Sequence, residues 1–147
     1  AIAPYNIYSD CFAAMGAAAL YKATGELHYL NEAKATAQSS YDYWVKSRNG
    51  IPLCYPTNDP WFTIQLIKSF IELEPHDKAF TKKCMEVFVS NLDYAWKNGR
   101  MNNGLFYEDW TGKNINADRD KQLLMQAAAL ESLGVGALYK NETADEE

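Results

Sequence analysis

Residues 59–98 read DPWFTIQLIKSFIELEPHDKAFTKKCMEVFVSNLDYAWKN. Asp59-Pro60 is a helix start, with Asp at the N-cap and Pro at the first helical position. The stretch Trp61 to Leu73 is apolar on nearly every side (Phe62, Ile64, Leu66, Ile67, Phe70, Ile71). A helix of that kind expects neighbours all round. Pro75-His76-Asp77 makes a short turn. From Asp77 to Asn98 the pattern changes. Phe80, Cys84, Val87, Phe88, Leu92 and Trp96 recur on one side, with Lys78, Lys82, Lys83, Glu86, Ser90 and Asp93 on the other. That is an amphipathic helix with one wet face. The unit is therefore a helical hairpin: one helix immersed, one half-immersed.

The same unit precedes it. Tyr5 to Thr24 reads as a helix whose middle, Cys11 to Leu20, has almost no polar face; Ser9 or Asp10 is the expected cap, and burial on all sides is expected. Gly25 stops it. Leu27 to Lys46 is amphipathic, with Tyr29, Leu30, Ala33, Ala37, Tyr41 and Trp44 on one side. Asn49-Gly50-Ile51-Pro52 breaks the pattern. The outer helices end alike, Tyr41-Asp42-Tyr43-Trp44 against Leu92-Asp93-Tyr94-Ala95-Trp96, which marks a repeat of about 50 residues. Beyond Gly99, Asn102-Asn103-Gly104 and Thr111-Gly112 predict a loop or short hairpin. Asp118 to Lys140 reads as a fifth helix, and 141–147 as a frayed acidic tail. The expected fold is all-α: about five helices in a single segment over residues 1–147, helical hairpins forming part of an α/α toroid. Two and a half hairpins cannot close a ring. Either a longer chain or a second chain supplies the rest.

Composition narrows the function. The 147 residues are 48% hydrophobic and carry a net charge of −5, which argues against nucleic acid and against an anionic membrane surface as partners. No apolar run reaches the length of a membrane span, and Ala1 to Tyr5 lacks the basic start and apolar block of a signal peptide. Cys11, Cys54 and Cys84 are scattered and read as small buried hydrophobes. His28 and His76 stand alone, so neither a metal nor any other cofactor is expected.

The candidate site residues are aromatic rings and carboxylates near the predicted helix starts. Tyr5, Tyr8, Trp61 and Trp110 stand at or before predicted helix starts, on the side that inner helices present to a barrel mouth. Asp10 opens an apolar helix and is either a cap or a sugar contact. Glu108-Asp109 lies beside Trp110, and a carboxylate near an aromatic ring can serve as a general acid. Asp118 and Asp120 suit the start of the fifth helix.

Several strings carry a resemblance. They are Trp61 to Leu73, then Leu92 to Trp96, then Asn103-Gly104-Leu105-Phe106-Tyr107-Glu108-Asp109-Trp110-Thr111-Gly112, and finally Leu123 to Glu131. In this order and spacing they resemble the C-terminal part of glycoside hydrolase family 76, the endo-α-1,6-mannanases. Tyr5-Asn6 at the first helix belongs to the same likeness, though Ile7-Tyr8 follows where Gln-Gly is common, and Lys68 stands where arginine is more familiar. The resemblance implies a secreted or periplasmic (α/α)6 enzyme binding mannan or manno-oligosaccharides. It implies retaining hydrolysis by an adjacent aspartate pair, one carboxylate as nucleophile and one as acid/base about 5 Å apart. This chain contains no Asp-Asp. No catalytic residue is therefore assigned here, and the pair is expected outside these 147 residues. The implied sugar contacts are Tyr5, Asn6, Asp10, Trp61, Asp109 and Trp110. Two rivals stand beside this reading. One is a non-catalytic carbohydrate-binding or interaction module. The other is another six-hairpin sugar enzyme, such as an N-acylglucosamine 2-epimerase-like isomerase, for which two histidines are few.

Overall fold

The structure, a computed structural model, describes residues 6–58, 60–111 and 123–144. Its elements run α1 (Ile7–Thr24), α2 (Leu27–Trp44), β1 (Lys46–Arg48), β2 (Ile51–Cys54), α3 (Pro60–Ile71), α4 (Lys78–Asn98) and α5 (Leu123–Ala144).

Local chemistry sets the ends. The side chain of Asn6, rather than Ser9 or Asp10, caps α1: its oxygen accepts from the backbone N–H of Tyr8 at 3.0 Å and of Ser9 at 3.3 Å. Gly25, at φ 72°, closes the helix, donating to the Tyr21 carbonyl at 2.8 Å. Asp77 caps α4 through the N–H of Phe80. Asp59, Tyr5 and Asp118 to Lys121 lie outside the described residues.

Two departures from the sequence reading concern the ends of α2 and α5. Helix α2 stops at Trp44, and residues 46–54 form a two-stranded antiparallel hairpin. Asn49 (φ 51°) and Gly50 (φ 86°) both occupy left-handed conformations, the requirement of a tight two-residue turn. Helix α5 continues through Asn141 to Ala144, past the expected end at Lys140, and residues 145–147 lie outside the described residues.

The helices form two layers. Helix α3 packs between α1 and α5, while α2 covers α1 and α4 covers α3 and α5. Helices α1 and α3 run parallel, because Tyr8 meets Phe62 at their N-terminal ends and Lys22 pairs with Glu72 at their C-terminal ends. Helix α2 returns along α1. The core lies where α3 meets its neighbours: Ile64, Leu66, Ile67 and Phe70 are fully buried, with Cys84, Met85 and Phe88 of α4. Phe70 meets Phe80 edge-on at 5.3 Å, and the Thr81 hydroxyl donates to the Phe70 carbonyl. Each such apolar side chain contributes about 1.5–3 kcal/mol of burial.

The expectation of burial on all sides is met over most of α3, where seven of twelve residues are buried, and fails for α1. Only Cys11, Ala14 and Ala18 of α1 are buried, while Tyr8, Phe12 and Leu20 are about half exposed. Helix α5 is similar, with Leu123, Leu130 and Leu138 largely in solvent. The physical reason is position. Among the described residues α3 has an inner neighbour on both flanks, whereas α1 and α5 have one each. Among the described residues no helix is long and apolar enough to cross a membrane.

Candidate functional site

Because α2 runs back along α1, its last turn arrives beside the first turn of α1. Trp44 therefore reaches Asp10 across 34 residues of sequence, and its indole N–H donates to Asp10 Oδ2 at 2.8 Å. Because α3 lies parallel to α1, Phe62 arrives beside Tyr8, edge-on at 5.6 Å, and Tyr8 also meets Phe12 at 4.7 Å. Between them opens a cleft of about 530 Å³, lined by Asn6, Ile7, Tyr8, Trp44 and Phe62. Three aromatic rings at the helix ends give a surface suited to the C–H faces of a sugar. Asp10 stands behind this wall and fixes the indole of Trp44.

Below the cleft, α3 and the residue that follows it present a half-exposed stripe of Trp61, Gln65, Lys68 and Glu72 at spacings of four, three and four. Its charges are tied sideways: Glu72 to Lys22 of α1, and Lys68 to Glu131 of α5. These pairs are partly exposed, so each contributes at most about 1 kcal/mol. Their geometric effect is larger, for they hold the three inner helices side by side.

The connections at the same end are locked by amides. Asn91 of α4 accepts from Tyr55 N–H and donates to the Leu53 carbonyl, both at 2.9 Å, holding β2. Gln126 of α5 treats Phe106 as a strand neighbour would, accepting from its N–H at 2.8 Å and donating to its carbonyl at 2.9 Å. Trp110 N–H donates to the Thr57 carbonyl, joining the two connections. Residues 99–106 form a short turn closed by an isolated bridge between Arg100 and Phe106.

Five of the six expected sugar contacts separate into three groups. Asn6 and Asp10 belong to the cleft, Asn6 on its lining and Asp10 behind Trp44. Trp61 lies on the α3 stripe, partly buried against the core. Asp109 and Trp110 are 6% and 5% exposed. Asp109 Oδ1 accepts from the N–H and hydroxyl of Thr111, and Trp110 packs near Phe106 beside an enclosed void of about 10 Å³. Burial makes these two braces of the connection rather than open sugar contacts. Tyr5 lies outside the described residues. From sequence Trp44 reads as structural and Phe62 as one of the apolar residues of the third helix; the structure places both on the cleft lining. The signal that finds Trp44 is the hairpin itself, which returns the end of each outer helix to the start of its inner one.

Nucleophilic chemistry finds no support among the thiols. Cys54 is pushed up to about 11 and Cys84 to about 12, chiefly because burial penalises the thiolate. Among the described residues no cluster of three His, Cys, Asp or Glu could hold a metal ion.

No known family's sequence profile matches the chain, and no curated protein matches it by sequence. By fold it is similar to a glycoside hydrolase family 76 mannosidase from Bacteroides thetaiotaomicron, with a TM-score of 0.73 at 22% identity. The likeness covers 92% of this chain and 37% of the mannosidase. The chain has the all-α hairpin fold of that glycoside hydrolase and spans little more than a third of its length.

Proposed function

We propose that this chain is the C-terminal part of a family 76-type glycoside hydrolase that cleaves α-1,6-mannan with retention. In this reading the catalytic aspartate pair lies outside the 147 residues. The chain supplies inner and outer wall, and one side of the sugar cleft. Tyr8, Trp44 and Phe62 stack against the sugar, Asp10 holds Trp44 in place, and Asn6 and Trp61 border the bound chain. The observation that carries the reading is the likeness to a mannosidase over 92% of the sequence. The test is hydrolysis. A longer protein containing this sequence is expected to release manno-oligosaccharides from α-1,6-mannan, and the 147-residue chain alone to release none. A silent longer protein, or turnover by the chain alone, overturns the proposal.

A second reading is favoured by two observations: the cleft is aromatic and the chain has no Asp-Asp. A non-catalytic carbohydrate-binding module has this character. Titration calorimetry with manno-oligosaccharides separates the two. Binding weakened by Trp44→Ala, in a longer protein that hydrolyses nothing, selects the module.

A further inference from the structure

The chain has three Asn-Gly steps, at 49–50, 98–99 and 103–104. A glycine after asparagine leaves its backbone nitrogen uncovered, so that this nitrogen can reach the side-chain carbonyl carbon and close an imide ring. The fold gives the three steps different surroundings. Asn98 ends α4: its side chain donates to the Tyr94 carbonyl at 2.9 Å, and the Gly99 N–H donates to the Ala95 carbonyl at 2.7 Å. The Trp110 carbonyl oxygen closes the space beside Gly99. Ring closure would have to break both bonds. Asn49 is pinned at φ 51° in a turn closed by the pairing of Arg48 with Ile51, and its amide donates to the buried Thr111 hydroxyl at 3.2 Å. Asn103 is exposed on the 99–106 turn. Its side-chain oxygen accepts from the Leu105 N–H at 3.1 Å, which folds the amide over Gly104 and polarises the carbon to be attacked. The Arg100 cation stands beside Gly104: Nε donates to the Gly104 carbonyl at 3.5 Å, and a Cβ on Gly104 would lie 3.6 Å from Nη2. A positive charge there favours the deprotonated amide, which is the nucleophile. One bond opposes, from Gly104 N–H to the Met101 carbonyl at 2.9 Å, the closure of a single turn.

We propose that Asn103-Gly104 is a self-modification site whose isoaspartate product releases Phe106 from Gln126. The Gly104 nitrogen loses its proton to solvent base and bonds to Cγ of Asn103. The bond from Cγ to the side-chain nitrogen breaks, and ammonia leaves with a proton from water. Water then opens the imide. Cleavage at Cγ gives aspartate at 103 with the ordinary linkage. Cleavage at the main-chain carbonyl carbon gives isoaspartate, with the chain routed through Cβ and Cγ. The net change is water in and ammonia out, and no oxidant or cofactor takes part. Isoaspartate puts one extra carbon into the main chain three residues ahead of Phe106. Gln126 holds the Phe106 N–H and carbonyl at 2.8 and 2.9 Å, and Phe106 bridges Arg100. Neither contact tolerates that displacement, because a hydrogen bond weakens steeply outside its narrow range of length and angle. The inference goes beyond the mannan reading and stands or falls without it, because no activity is measured.

The test is an incubation of the full 147-residue chain at about pH 8.5 and about 37 °C, with peptide mass spectrometry reading a gain of about 1 Da at each asparagine. Asn103 should convert first, at least about tenfold faster than Asn98, with Asn49 between them. In concentrated urea the three rates should come together, since the spread belongs to the fold. Asn49 or Asn98 leading in buffer, or three equal rates there, overturns the assignment. Hydrogen exchange reads the consequence. The Phe106 N–H should lose protection in step with isoaspartate, which is counted by enzymatic isoaspartyl methylation. Asn103→Gln should keep that protection throughout. Freshly prepared Asn103→Asp carries the new charge without the added carbon, and it should keep Phe106 protected as well. Protection lost in fresh Asn103→Asp, or unchanged while isoaspartate accumulates in the wild type, overturns the release of Phe106.

Discussion

Helices α1 and α3 are near-twins in sequence character, both apolar round most of their circumference, and the structure treats them differently. Helix α3 has α1 on one flank and α5 on the other, and Ile64, Leu66, Ile67 and Phe70 are fully buried. Helix α1 has one inner neighbour and leaves Phe12 and Leu20 about half in water. The difference teaches that an all-round apolar pattern records the neighbours a helix is built to have. Burial in this chain records those it does have. The gap between the two locates the surface awaiting contact.

Ways to break or sharpen that comparison can be ranked. The largest effect is expected at the thiols. Cys84, at about 12, lies beneath α3 and should be alkylated about a thousandfold more slowly than a free thiol at pH 8. Cys54, at about 11, should follow, and Cys11 on the half-covered α1 should react first; mass spectrometry of a timed iodoacetamide reaction reads the order. Folded-state values above the unfolded value mean stability that is intact below about pH 8.5 and lost as pH rises toward 11–12, so alkaline unfolding should begin in that window. Cys84 reacting before Cys11 would invert the comparison.

Next comes truncation. Phe70→Ala in α3 should cost about 3–5 kcal/mol in urea unfolding, whereas Leu130→Ala on the open face of α5 should cost under about 0.5 kcal/mol. Equal costs would show that the α5 face is covered. Asn91→Ala should cost about 1–3 kcal/mol, because it strips two partners from the backbone of residues 53–55. The smallest contrast is between glycines. A Cβ at Gly99 would meet the Trp110 carbonyl oxygen at 2.7 Å and that of Ala95 at 2.9 Å, so Gly99→Ala should destabilise by about 1 kcal/mol or more. Gly134 is mid-helix with open space around it, so Gly134→Ala should stabilise by about 0.5–1 kcal/mol. Thermal melts of the two variants should move in opposite directions.

Much of the wall was legible because it rests on periodicity and caps. The alternation of immersed and amphipathic helices, the stop at Gly25 and the Asp77 cap are local statements of three to twenty residues. The hairpin at 46–54 was harder. Asn49-Gly50 is a strong turn signal, but Lys46-Ser47-Arg48 and Ile51-Pro52-Leu53 lack the alternation that marks strands. The site was least legible. Trp44 and Asp10 meet only because two helices fold back on each other. Asp109 and Trp110 look like an exposed acid beside a ring until Thr111 and Phe106 are seen to enclose them.

The amide of Gln126 grips residue 106 by its backbone alone. The grip therefore places no demand on the side chain at 106 and a strict demand on spacing. Point changes along this connection leave the anchor intact, while adding or removing one residue ahead of 106 shifts the backbone out of its hold. Exposed positions such as Asn102 and Leu105 can change so long as the length is kept, while Phe106, Asp109 and Trp110 are held by burial as well as by spacing.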